Sequence, residues 1–204
     1  MTAPASHEYV VRARHERFRG PVFRVVTDEV AMPGGGWAAR DYVLHVGSVA
    51  VAALDEAGRI VLVRQYRHPL GRELWELPAG LVDVAGEPLP AAAARELAEE
   101  ADLTAARWDL LVDLHTSPGY SNELIRIFLA RDLAPVPDGD RHTRIHEETH
   151  LVVRRVELDE AVRMALAGEI TNAAAVAGVL AAARARDLGW DTLRPADAPL
   201  PGRA

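Results

Sequence analysis

Residues 76 to 103, ELPAGLVDVAGEPLPAAAARELAEEADL, run from a broken loop into an acidic, alanine-rich segment. The first half, together with the GRELW that precedes it from Gly71, carries Gly71, Pro78, Gly80, Gly86, Pro88 and Pro90, residues that punctuate a backbone and mark an irregular stretch over 71–90. The second half is built from Ala, Leu, Glu and Arg, all strong helix formers, so a helix is predicted from about Leu89 to Ala101. Pro90 suits its first turn. On that helix Glu96, Glu99 and Glu100 stand at i, i+3 and i+4 and share one face. Exposed like charges so close repel by about a few tenths of a kcal/mol per pair. They are tolerated when solvated and favoured when a cation bridges them. Arg95 lies one turn before Glu99 and can pair with it, leaving Glu96 and Glu100. Oxygen-only ligands suit a hard cation, Mg²⁺ or Mn²⁺. Taken alone, such a triplet reads first as an ordinary solvated helix face.

Working outward, the residues before this stretch favour strands. RGPVFRVVTDEV (19–30) and WAARDYVLHVGSVAVAAL (37–54) are strand-like, separated by the MPGGG loop at 32–36. DEAG turns the chain into RIVLVRQYRHP, a further strand. After the helix, WDLLVDLHTSPGY and ELIRIFLARDL read as two strands around a loop, and LVVRRVEL as another. Between them APVPDGDRHTRIHEETH is a long polar loop of the kind that often carries function. Two helices follow, at about 159–167 and 172–187; Gly168 stops the first and Thr171 or Asn172 caps the second. The reading is an α/β (α+β) domain with a mixed sheet, since strands outnumber helices and do not alternate with them. Residues 1–43 form a small β-rich N-terminal appendage, 44–190 the main domain, and the proline-containing stretch 191–204 a loose tail.

Composition narrows the possible functions. The 204 residues carry a net charge of -7, which disfavours a general nucleic-acid or membrane-surface binder. Cysteine is absent, excluding disulfides and thiolate metal sites, and all 23 basic residues are arginine. The N-terminus places charges where a signal peptide needs an apolar core, and AAAVAGVLAAA is too short to span a bilayer, which needs about 20 residues. A cytoplasmic protein is expected.

With its preceding loop, the acidic helix resembles the Nudix hydrolase signature, G-x5-E-x7-R-E-U-x-E-E-x-G-U. Gly80 opens it, Glu87 is its first acid, and Arg95, Glu96, Leu97, Glu99, Glu100 and Leu103 follow at the family's spacing. The chain departs twice: one extra residue separates Gly80 from Glu87, and Asp102 replaces the penultimate glycine. The insertion falls in a loop, where it costs little. Aspartate can adopt the left-handed conformation that glycine normally supplies. The flanks resemble the ADP-ribose pyrophosphatase branch of the family over roughly residues 15 to 190. The matching pieces are VAMPGGG, GSVAVAALDEAGRIVLVRQYRHPLGRELWELPAGLVD, SPGYSNE with Pro118 fifteen positions after Leu103, and HEE.

The resemblance implies a Nudix α/β/α sandwich and Mg²⁺-dependent hydrolysis, Mn²⁺ being an alternative ion, of the ADP-ribose diphosphate to AMP and ribose 5-phosphate. It makes Glu96 and Glu100 the main metal ligands, Glu99 a further or water-mediated one, and the Ala79 carbonyl another. Arg95 and Glu87 brace loop and helix. Arg67 is assigned to the phosphates or ribose, Glu123 to the terminal ribose, and Tyr120 to the same pocket or to the core. Glu76 is a binding residue or a salt-bridge partner, Trp75 a packing residue more than an adenine platform, and Arg40 a candidate to reach a partner subunit's site. Glu147 and Glu148 compete for the loop acid acting as general base, Glu148 aligning better. His146 and His150 are read as solvated. A homodimer is implied, sharing residues through its N-terminal strands. The alternatives are a pyrophosphatase for another nucleoside-diphosphate sugar such as GDP-mannose, and a non-catalytic module that senses ADP-ribose.

Overall fold

The computed structural model describes residues 8–144 and 149–201. The chain forms two units, Met1–Val46 with Ser117–Glu123, and Gly47–Thr116 with Leu124–Ala204.

The first unit is an antiparallel meander of β1 (Val11–Arg19), β2 (Phe23–Ala31) and β3 (Trp37–His45). Gly34, Gly35 and Gly36 all take positive φ in the β2–β3 turn, a conformation costly for any other residue. A polar ladder crosses the three strands. Arg14 forks onto the Asp28 carboxylate at 2.7 and 2.8 Å, the Tyr42 hydroxyl donates to it at 2.9 Å, and Thr27 donates to Asp41 at 2.6 Å. The Arg14 hydrogen bonds hold the buried Asp28 carboxyl below the usual carboxylate range. Residues 117–123 join this unit, although distant in sequence, because Val43 N–H donates to Tyr120 O and His45 N–H to the Asn122 side chain.

The second unit contains β4 (Ser48–Ala53), β5 (Arg59–Arg67), β6 (Arg72–Glu76), β7 (Ala79–Leu81), α1 (Leu89–Ala101), β8 (Leu103–His115), β9 (Leu124–Pro135), β10 (Val152–Glu157), α2 (Leu158–Leu166), α3 (Ala173–Asp187) and β11 (Arg194–Pro195). One sheet runs β11-β8-β9-β4-β7 and a second β10-β5-β6. β4 and β9 pair in parallel and the other ladders are antiparallel, so the larger sheet is mixed, as predicted.

Strand alternation explains the layering. Ala50, Ala52, Ile60, Leu62, Ile127 and Leu129 point into the cluster covered by α2 and α3. Their neighbours Val49, Val51, Ala53, Val61, Phe128 and Ala130 point the other way, onto Ala92, Ala93 and Leu97 of α1. Strands buried on both faces read as nearly continuous apolar runs, as these do. The result is an α/β/α sandwich. Asn172 caps α3 by accepting from Ala175 N–H at 2.9 Å, and Gly168 at φ +78 ends the α2 segment.

The Pro- and Gly-broken stretch expected to be irregular contains β6 and β7, and β8 begins directly after α1 rather than near Trp108. Proline content also predicts a loose tail from 191, yet the described part is tied down. β11 pairs with β8, and Arg126, only 3% exposed, donates to the Ala198 and Pro199 carbonyls as well as to Asp113. A buried guanidinium needs acceptors, and the tail supplies two of them. No helix among the described residues is long and apolar enough to cross a membrane.

α3 approaches the sheet closely at Gly178, where an added Cβ would lie 2.5 Å from Leu77 Cδ1 and 3.3 Å from Ile127 Cγ2. Both neighbours are fully buried and have nowhere to go. Gly178→Ala gains helix propensity of about 1 kcal/mol but overpacks the core by about 1–3 kcal/mol. The expected outcome is a net loss of stability, read as a lower urea midpoint with an unchanged m-value.

Candidate active site

The position of α1 decides the site. Ala92, Ala93 and Leu97 are small or apolar enough to seat the helix directly on the sheet. That face carries Glu96 and Glu100 inward with it, leaving them 8% and 5% exposed. Glu99, on the flank, is half-buried. β7 runs alongside, pairing Ala79 with Ala50 and Gly80 with Val49 of β4. Its Ala79 N–H donates to Glu100 Oε2 at 2.9 Å. At Gly80 a Cβ would overlap the Glu96 carboxylate itself, so glycine is what lets this backbone lie against the acid.

Arg95 is the hub of the acidic cluster. It donates to both Glu87 oxygens at 3.2 and 3.1 Å, to Glu96 at 2.6 Å and to Glu99 at 3.3 Å. Spacing along the helix suggests only the Glu99 pair; the structure adds Glu96, so Glu96 is not left free. The Glu87 contact also fastens the loop before α1 to the helix. Glu87, foremost among these partners, raises the Arg95 pKa far beyond any working pH, so the hub stays charged. Burial raises the pKa of Glu96, opposed by Arg95 and reinforced by Glu99 and Asp83. Among the described residues no three acidic or histidine groups already converge as an ion cage. The donor chemistry nevertheless fits a hard divalent cation: buried carboxylates, oxygen ligands only, and a desolvated Glu96 whose charge a cation would stabilise.

Arg67, which lies opposite Arg72 at the end of β5, reaches back along β6 and forks onto Glu76 at 2.8 and 2.6 Å. Glu76 is 2% exposed and held in the salt bridge to Arg67. The hydrogen bonds that Arg67 donates to Glu76 raise the Arg67 pKa, and the Glu100 charge contributes in the same direction, placing Arg67 in the field of the acidic cluster. Trp75 is half-buried, packed at the core's edge beneath the Arg64 guanidinium. Tyr120, 63% exposed, Glu123, beside His45, and Arg40, donating to its neighbour's carbonyl, all belong to the first unit. Tyr120 is therefore no core residue. Glu147, Glu148 and His146 lie outside the described residues; His150 is exposed.

Asp102 takes the left-handed conformation expected of it, but its partner Arg144 escapes the reading of the sequence. Asp102 ends α1 in the left-handed conformation, φ 54 and ψ 37, and Arg144 reaches it from the polar loop at 2.6 Å. That loop and the outer face of α1 bound a cleft of about 550 Å³ lined by Arg95, Ala98, Glu99, Arg141, His142 and Thr143, with Asp140 beside them. An arginine in an aperiodic loop carries no local signal. The one clue is an aspartate where the family has glycine.

An Arg-bridged carboxylate cluster, on a helix that follows a glycine loop against an α/β/α sandwich, defines a class. The chain belongs to the Nudix family: the NUDIX domain model matches residues 44–177. It is 46% identical to the ADP-ribose pyrophosphatase of Mycobacterium tuberculosis over 95% of this chain and 91% of that protein. It is 33% identical to the ADP-ribose pyrophosphatase of Bacillus subtilis, over 79% of this chain and 85% of that one. Among solved structures, the crystal structure of an ADP compounds hydrolase superposes with a TM-score of 0.77, covering 93% of this chain and 99% of that one. At 20% identity that likeness speaks for the fold alone.

Proposed function

We propose that the protein hydrolyses the diphosphate of ADP-ribose to AMP and ribose 5-phosphate with Mg²⁺, Mn²⁺ substituting. The observation that carries this is the pair of buried carboxylates, Glu96 and Glu100, facing β7, in a chain nearly half identical over its length to an ADP-ribose pyrophosphatase. Glu96 and Glu100, with Glu99 and the Ala79 carbonyl, would hold the cation. When bound, it neutralises the diphosphate and acidifies a water. The chain's own residues do the rest. Arg95 keeps Glu87, Glu96 and Glu99 in register and offsets their repulsion. Arg67, oriented by Glu76, presents its remaining N–H groups to a phosphate or ribose. Glu148, or Glu147 beside it, takes the proton of the water that adds to the adenosyl-side phosphorus, while the ribose 5-phosphate oxygen leaves. Positioning and charge stabilisation dominate such phosphoryl chemistry. Arg40, Tyr120 and Glu123 are assigned to the substrate. A cytoplasmic homodimer joined through the N-terminal strands is part of the reading, supported by the exposed Phe18, Phe23 and Trp37 of that sheet.

Turnover of ADP-ribose, GDP-mannose, ADP-glucose, NADH and diadenosine polyphosphates, each with Mg²⁺ and with Mn²⁺, tests it. ADP-ribose should lead by about tenfold or more in kcat/KM, about 1.4 kcal/mol of transition-state binding. Another sugar in front would sink the substrate assignment and keep the chemistry. Binding of ADP-ribose without turnover would make the protein a sensor.

A further inference from the structure

α1 leaves its last carbonyls without partners inside the helix, as every helix does. Asp102 N–H closes back onto the Ala98 and Leu97 carbonyls. The next two, Glu99 O and Glu100 O, accept from Arg144 Nε and Nη2 at 3.1 Å each. The same guanidinium pairs with Asp102 Oδ2 at 2.6 Å. One planar fork thus serves three acceptors on the end of the helix that bears the acids, and its charge complements the negative helix terminus. A second tie reinforces the first: Val136 N–H donates to the Asp102 carbonyl at 2.9 Å. The segment from Val136 to Arg144 therefore starts and ends on Asp102, and between those anchors it forms the wall of the cleft opposite Arg95 and Glu99.

We propose that Asp102 and Arg144 form a clasp that sets the last turn of α1, making Arg144 a positioning residue for the Glu99 and Glu100 carboxylates. Glycine at 102 would meet the left-handed backbone requirement with less strain. What it lacks is the carboxylate that Arg144 grips, so the departure from the family pattern acquires a purpose. The inference rests on the reading that these carboxylates hold a divalent cation, and it concerns the backbone that carries them.

The test uses the full chain and Mn²⁺ as the probe. Free Mn²⁺ is followed by electron paramagnetic resonance without substrate, and kcat and KM for ADP-ribose are measured at saturating Mg²⁺. Arg144→Ala should weaken Mn²⁺ binding and lower kcat by about tenfold or more, as for other groups that orient metal ligands. KM should move by less than about threefold, since substrate contacts are untouched. Arg144→Lys should restore little, because the three donors of an ammonium radiate from one nitrogen and cannot span the spread positions that Nε and Nη2 occupy. Asp102→Gly should weaken Mn²⁺ binding in the same direction despite relieving the backbone. The double variant Asp102→Gly with Arg144→Ala should be no worse than Arg144→Ala alone, the mark of one shared interaction. If Arg144→Ala does not fold, Asp102→Asn, which keeps the backbone preference and loses the charge, decides by the same Mn²⁺ readout. Wild-type Mn²⁺ affinity in Arg144→Ala, or additive losses in the double variant, would overturn the clasp even if the enzyme is an ADP-ribose hydrolase. A parent protein that binds Mn²⁺ but spares ADP-ribose removes the substrate assignment and leaves the clasp to be judged on affinity. A parent that binds no Mn²⁺ removes both.

Discussion

Replacing Glu100 by glutamine should give a protein that folds at least as stably as the parent and hydrolyses ADP-ribose on the order of 10³-fold more slowly. The two halves of this prediction come from one environment. Glu100 is 5% exposed, and one of its oxygens accepts the Ala79 N–H. Glutamine has the same length and keeps a carbonyl oxygen for that hydrogen bond, so β7 stays in place against α1. It also removes a buried negative charge from beside Glu96 and Glu99, which relieves desolvation and repulsion in the metal-free protein. Stability is therefore unchanged or higher, the usual trade-off where a site is built for function. Activity moves the other way. A neutral amide is a poor ligand for a hard dication, and several kcal/mol of charge stabilisation at the diphosphate go with it; about 4 kcal/mol corresponds to 10³-fold. A thermal melt without metal and kcat/KM with saturating Mg²⁺ measure the two halves. Near-parental turnover would place the metal elsewhere and remove Glu100 from the site.

Much of this arrangement is legible in the chain of residues alone, for a physical reason. The α1 helix declares itself through Ala, Leu, Glu and Arg; its end appears in Asp102, and the start of α3 in Asn172, whose side chain makes the predicted cap. These are local effects, written in neighbouring residues. β6 and β7 are not local. They lie between prolines and glycines and exist because β5 and β4 offer partners, with Gly80 accepted as a strand residue because Glu96 needs the space. The tail is held by Arg126, far away in the chain. Spacing on a helix likewise pairs Arg95 with Glu99 but cannot show that its guanidinium also turns to Glu96 and back to Glu87. Arg144 finds the α1 terminus only through the fold of an aperiodic loop. What the sequence hides is long-range pairing, of strand edges at β6 and β7 and of arginines elsewhere, whose long side chains leave no periodic trace.

Gly80→Ala is the sharpest test of how closely backbone and carboxylate are fitted. A methyl group there would occupy the place of the Glu96 carboxylate. Something must move, and the choices are few. β7 cannot retreat without breaking the Val49–Gly80 pairing with β4 and the Ala79 N–H bond to Glu100. Rotating Glu96 is easier, since it is a flexible side chain, and Arg95 can follow it because its own head remains partly exposed. The fold should therefore survive, with a loss of about 1–2 kcal/mol from crowding. A displaced Glu96 would lose its proposed place as a ligand, so kcat/KM should fall by about 10²-fold or more, with a matching rise in the Mg²⁺ concentration needed for half-maximal rate. Gly58→Ala provides the contrast. It sits at φ +77 in the β4–β5 turn with nothing within 4 Å of an added Cβ. It should cost about 1 kcal/mol of stability through backbone strain alone and leave the Mg²⁺ dependence untouched. If the two alanine variants differ in stability but not in Mg²⁺ dependence, Gly80 is merely a packing residue and Glu96 is not held where the cation needs it.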